Sequence, residues 1–198
     1  MKKFIITITR EFGSLGRPIA KRLSELLDVE FYDRDIVEAT AKKMNLPVSV
    51  ISDTEEKKSN FFQMMFPLGN ESSEQQREVF ECQYRIISEL ASKESCIVVG
   101  RCSDYILAEE PCAIHVHIYA PYADRLANCV GILGMEKSEA KKMIEEVDKA
   151  RNSYHKHFAK YLPNDPEHKH IIINSALLEV EGTAQALAAI VRQKFGDD

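Results

Sequence analysis

Short apolar runs alternate along this chain with longer stretches in which apolar residues recur every three or four positions. Phe4-Ile5-Ile6-Thr7-Ile8-Thr9 is β-branched and apolar, the composition of a strand, and it runs into a glycine-bearing turn. From Pro18 to Leu27 the apolar positions take helical spacing, which predicts strand, loop and helix in that order. A second strand is predicted at Val29-Glu30-Phe31-Tyr32, then a helix starting near Asp33 or Asp35, either of which can cap it. Pro47 ends that helix and opens another. From about Ser59 to Glu74 the pattern breaks, and Phe61, Phe62, Met64, Met65 and Phe66 gather ahead of Pro67, Gly69 and Asn70, which is read as a mobile hydrophobic flap or plain packing.

Periodicity returns with a long helix from about Glu74 to Lys93. Cys96-Ile97-Val98-Val99 follows, a continuous apolar run of the kind that is buried on both faces, and then Gly100-Arg101. Ala113 to Ile118 reads as a strand, Tyr122 to Leu133 and Ser138 to His157 as helices, and Pro163 to His168 as a polar break. Ile171-Ile172-Ile173 is the last strand and Leu177 to Lys194 the last helix. Strands alternating with helices predict an α/β fold whose parallel sheet is covered on both faces, with ligands at the carboxyl ends of the strands.

The bulk numbers narrow the setting. A chain of 198 residues accommodates one α/β domain with a small insertion. Hydrophobic residues at 44% and charged residues at 29% are ordinary for a globular protein. A net charge of −5 argues against a broad nucleic-acid surface, while a small anion needs only a few local cations. The start Met-Lys-Lys-Phe-Ile-Ile-Thr turns polar too soon for a signal peptide, and no apolar run has the length of a membrane span, so a cytoplasmic protein with no membrane partner is expected. Five cysteines without a Cys-x-x-Cys pair fit reduced thiols rather than disulfides or structural zinc.

The first turn holds the candidate chemistry. Gly13-Ser14-Leu15-Gly16-Arg17-Pro18 lies between the first strand and first helix, where converging backbone N–H groups and a helix N-terminus bind phosphate. Against G-x-x-x-x-G-K-[ST] the run departs in three places: Glu11 stands for the first glycine, Arg17 for lysine and Pro18 for the hydroxyl residue. Arg17 can still grip two phosphate oxygens at once. Pro18 has neither a side-chain oxygen for magnesium nor an N–H, although proline suits a first helical turn.

The run from Ile6 to Ala20, together with Phe31-Tyr32-Asp33 and Val98-Val99-Gly100-Arg101-x-x-Asp104-Tyr105-Ile106-Leu107, resembles the cytidylate kinase-like family of P-loop proteins. The helix with Asp148 and Arg151 resembles that family's lid, and Ile171 to Ser175 its last strand. The resemblance implies a three-layer P-loop kinase fold with a core of residues 1–34, 93–135 and 165–198, an acceptor-binding insertion of about 35–92 and a lid of about 136–164. It implies ATP as phosphoryl donor, magnesium on unidentified protein ligands, and a nucleoside monophosphate acceptor, CMP or dCMP. Gly13 to Pro18 would form the donor loop, with Ser14, Gly16 and Arg17 on its phosphates; Asp33, Arg101 and Asp104 would lie by the acceptor, and Arg151 would reach in from the lid. Around Gly100-Arg101, Val99 and Cys102 occupy positions that are acidic in better-characterised cytidylate kinases.

Phosphoryl transfer chiefly requires cations that position two anions, so Arg17, Arg101 and Arg151 are the candidate catalytic residues, with Arg10 and Arg125 in reserve. Each has a plainer alternative: Arg151 as a surface residue, Asp33 as a helix cap, Cys102 as an inert buried thiol. His115, His117, His155 and His157 are read as structural and not as a metal site. Two other functions stay open, a kinase of a different small metabolite and a nucleotide-binding regulator that has lost catalysis. Nothing in the sequence speaks to oligomeric state.

Overall fold

The computed structural model describes residues 1–33, 36, 42 and 73–196. Apart from Ile36 and Lys42, the helices predicted after Asp33 and Pro47 and the Phe61 to Phe66 cluster lie outside them. Five strands, β1 (Ile5–Arg10), β2 (Glu30–Tyr32), β3 (Cys96–Val99), β4 (Ala113–Tyr119) and β5 (Ile171–Asn174), form one sheet in the order β2-β3-β1-β4-β5. Every pairing is parallel. The helices are α1 (Gly16–Leu27), α2 (Ser73–Lys93), α3 (Ser103–Ile106), α4 (Tyr122–Gly131), α5 (Lys137–Ala159) and α6 (Ser175–Phe195).

Burial follows position in the sheet. The inner strands β1, β3 and β4 are buried almost throughout, which explains their unbroken apolar runs, whereas the edge strands β2 and β5 are only partly covered. One face presents Ile6, Ile8, Ile97, Val99, Ile114, Val116 and Ile118 to α1 and α6. Alternate residues point to the other face, where Ile5, Cys96 and Val98 pack with Ile86, Ile87 and Ala91 of α2 and Ile106 of α3.

That second face turns polar toward the strand ends. Thr7 lies beside His115 and Thr9 beside His117 in the register. Thr7 Oγ1 lies 2.8 Å from His115 Nδ1 and Thr9 Oγ1 2.9 Å from His117 Nδ1. Thr9 spends its single hydroxyl proton on Pro163 O at 2.8 Å, so His117 Nδ1 is the donor in their bond. Burial pulls both histidines down to about 4. They are neutral core residues that satisfy threonine hydroxyls.

Helix α5 packs against α4 at one end and α2 at the other. Ala140 and Ile144 pack with Cys129 of α4 and with Phe12. Further along, Tyr154 donates to Gln83 Oε1 of α2 at 2.8 Å, and the rings of Phe158 and Phe80 stack with centroids 4.1 Å apart.

Candidate active site

β1 ends at Arg10, and Glu11 to Leu15 carry the chain into α1. Gly13 and Leu15 adopt left-handed conformations, φ 80° and 58°. Neighbouring elements clamp this turn: Asn128 of α4 donates to Gly13 O at 2.9 Å and Ser175 of α6 to Ser14 O at 2.7 Å. The Ser14 hydroxyl faces Glu11 O and Ile118 O, at 2.9 and 3.2 Å, and Asp148 Oδ1 of α5 accepts the Phe12 N–H at 2.7 Å. The amides of Gly13, Leu15, Gly16 and Arg17 meet no acceptor among the described residues. Four such donors at the N-terminus of a helix suit an anion with several oxygens.

Among the described residues, five arginines border the loop. Arg10 runs from the end of β1 to Asp33, Nη2 to Oδ1 3.3 Å, and Arg17 Nε meets the other oxygen of Asp33 at 3.0 Å. Arg10 passes between two glycines. A Cβ at Gly16 would lie 2.7 Å from Arg10 Cβ, and one at Gly100 would lie 2.3 Å from Arg10 Nη1. Gly100 opens a turn in which three successive residues, Gly100, Arg101 and Cys102, have φ of 75°, 59° and 52°. Two non-glycine residues in this region are strained, and Arg101 is buried just beyond the strand. From α5, Arg151 donates to Arg10 O at 3.1 Å and lies 6.0 Å over the Phe12 ring; its Nε is shut off from solvent and makes no hydrogen bond among the described residues. From α4, Arg125 donates to Phe12 O at 3.3 Å, approaches Glu11 at 3.4 Å and pairs closely with Asp148.

Burial is the largest influence on Arg10, Arg101 and Arg151 and presses their pKa values down, while the charge of Asp33 opposes it in all three. A guanidinium stays charged regardless, so the cluster is a set of partly desolvated cations. Between Arg10, Arg101, Arg151, Thr9 and Tyr154 is a cavity of about 30 Å³, large enough for water.

Residues 5–177, from β1 to the start of α6, match the cytidylate kinase-like family. The chain belongs to that family. Its fold is that of the P-loop kinases, and solved structures agree along the whole length. An uncharacterised protein from Eubacterium ventriosum is 21% identical, with a TM-score of 0.70 over 99% of this chain and 100% of its own. A shikimate kinase from Bacteroides thetaiotaomicron is 12% identical, with a TM-score of 0.55 over 96% of this chain and 97% of its own. A gluconokinase from Sinorhizobium meliloti is 14% identical, with a TM-score of 0.51 over 97% of this chain and 95% of its own. The search of curated proteins found no match. Among the described residues no helix is long and apolar enough to cross a membrane.

Within this cytidylate kinase-like chain the residues singled out from sequence divide into two groups. Arg17, Asp33, Arg101 and Arg151 gather beside the loop with Gly13, Leu15 and Gly16. Arg151 is far from a solvated surface residue, and Asp33 holds two arginines. Ser14 is in the loop, but its hydroxyl is turned onto carbonyl oxygens; Pro18 is exposed in the first turn of α1. Asp104 is engaged elsewhere. Its oxygens meet His155 Nε2 at 3.0 Å, Tyr161 OH at 3.2 Å and Lys169 Nζ, all in the interior. Burial alone would raise the Asp104 pKa, but His155 and Lys169 hold it well below the usual carboxylate range. Cys102 beside it is pushed up by burial and stays a thiol.

Arg10 and Arg125, reserve candidates from sequence, hold central places, and Glu11 and Asp148 join them. The available signal for Arg10 was an arginine directly at the carboxyl end of a buried strand. The loop amides and arginines fit the phosphates of ATP. Magnesium fits poorly among the described residues: Pro18 has no side-chain oxygen, Ser14 is fully buried with its hydroxyl turned onto backbone carbonyls, and Glu11, Asp33 and Asp148 are each paired with arginine.

Proposed function

We propose that this protein transfers the terminal phosphoryl group of ATP to a nucleoside monophosphate, with CMP and dCMP the foremost acceptors. The observation that carries this reading is the convergence of Arg10, Arg101 and Arg151, from the end of β1, the strained turn after β3 and α5, beside a loop with unengaged amides. In this reading Gly13 to Pro18 form the donor loop, where the amides of Gly13, Leu15, Gly16 and Arg17 bind the ATP phosphates. Arg101 receives the acceptor phosphate, and Asp33 lies near the acceptor. Residues from about 35 to 92, with nearly all of α2, are the acceptor-binding insertion and about 136–164 the lid, on a core of 1–34, 93–135 and 165–198.

The acceptor phosphate oxygen is already anionic and attacks the γ-phosphorus directly. The bond from that phosphorus to the bridging oxygen breaks, and ADP leaves. No side chain has to take a proton. The arginines align the two anions and spread the charge on the moving group, which is most of what such a transfer demands. Arg151 comes with α5, so docking of that helix both delivers a cation and excludes water. The chain would act in the cytoplasm on small soluble nucleotides.

Release of ADP measured across CMP, dCMP, UMP, AMP, shikimate and gluconate is the test. Transfer to CMP or dCMP above the rest is the expected result. Preference for a non-nucleotide would move the acceptor while keeping the chemistry. ATP bound without transfer to any acceptor would favour the second reading, a non-catalytic nucleotide-binding regulator, which Pro18 supports.

A further inference from the structure

A magnesium ion held in a phosphate loop takes oxygen ligands, and a protein contributes them from hydroxyls or carboxylates that are not otherwise engaged. In this loop the residue after Arg17 is Pro18, and the Ser14 hydroxyl donates to backbone carbonyls. The carboxylates bordering the loop among the described residues are Glu11, Asp33 and Asp148. Glu11 meets Arg125 and the Ala120 N–H, Asp33 meets Arg10 and Arg17, and Asp148 meets Arg125 and the Phe12 N–H.

Among the described residues Arg10, Arg17, Arg101, Arg125 and Arg151 border the same loop. A divalent cation entering here meets like charge at short range in a partly dry site, where repulsion is poorly screened. A polyphosphate meets the reverse: unengaged amides, a helix N-terminus and guanidinia from several elements.

We infer that in this protein the phosphates of a bound nucleoside triphosphate are neutralised by the arginine ring, so that the nucleotide binds as the free polyphosphate and gains nothing from magnesium. Magnesium, when present, arrives on the nucleotide and finds no accessible side-chain oxygen in the loop. This inference rests on the reading of Gly13 to Pro18 as the donor site.

Calorimetric titration of the full chain with ATP, once in EDTA and once in excess magnesium, tests it. The expected result is an affinity that magnesium changes by less than about threefold or weakens. Binding that magnesium tightens beyond that would overturn the inference while leaving the donor site intact. Absence of ATP binding in both buffers would overturn the donor-site reading and the inference with it. Pro18→Thr supplies the missing hydroxyl and is expected to add a preference for magnesium of about tenfold, measured as the ratio of the two affinities. If the variant binds ATP with an unchanged ratio, the missing hydroxyl is not the cause and the donor-set argument fails.

Discussion

Arg10 owes its course to two residues without side chains. Its stem lies against Gly16 and its guanidinium against Gly100, both closer than a Cβ would allow. Gly100→Ala would add a methyl group where φ is 75° and push aside the Arg10 fork that binds Asp33. The fork is flexible, so the backbone conformation sets most of the stability cost, about 1–2 kcal/mol. Urea unfolding should show that loss, and ATP affinity should fall with it; an unchanged midpoint would mean the turn is unstrained. The glycine and Arg101 were legible because a Gly-Arg pair directly after a buried strand marks a ligand-binding edge. The further strain at Arg101 and Cys102 was not, since neither residue type favours a left-handed backbone.

At the scale of elements, α5 is secured to the loop by Asp148 and to the core by His155. Asp148 accepts the Phe12 N–H and pairs with Arg125, which in turn reaches Glu11. Asp148→Ala removes both attachments but leaves the Ala140 and Ile144 packing in place. Amide exchange in the middle of α5 should quicken about tenfold, the factor for a local loss of about 1.4 kcal/mol, with little change in β1. Equal exchange in α5 would show that apolar packing alone holds the helix. Periodicity located this helix at 138–157 against the observed Lys137–Ala159, because its buried face repeats every three or four residues. It was silent on the partners. Asp104, His155 and Lys169 meet across separations of 51 and 65 residues, and no local spacing encodes that. Helix α3 was unforeseen as well, since four residues cannot display a helical period. The polar break at Pro163 to His168 contains a 3₁₀ turn at Pro166–His168 that Asp165 caps, a local motif that composition alone hides.

For the molecule as a whole, the buried histidines contribute to the response to acid. His115 and His117 take up protons near pH 6.5 when unfolded but only near about 4 in the fold. Their contribution is therefore fully present above pH 6.5 and is lost as the pH falls toward 4, by up to about 1.4 kcal/mol per pH unit for each. Chemical denaturation from pH 7 to 4 should show that decline, and His117→Gln should flatten it by about half. A flat profile in the unmodified protein would contradict the buried neutral state. The parallel sheet and its two covered faces followed from alternating strand and helix patterns, but the acid-sensitive layer did not, because a His-x-His pair reads alike in a metal site and in a threonine-lined core.

The central position of β1 also bears on how the molecule comes to be functional. Its residues find their partners in Cys96–Val99 and Ala113–Ile118, roughly half the chain away, so two long crossovers must close before the strand is fixed. The turn that follows is then clamped by Asn128 and Ser175, which lie later still. The phosphate loop, although written within the first eighteen residues, is among the last features to acquire its shape during synthesis. A nascent chain would stay unable to hold nucleotide until the start of α6 has emerged, so nucleotide capture reports that Ser175 has been made and seated on the loop.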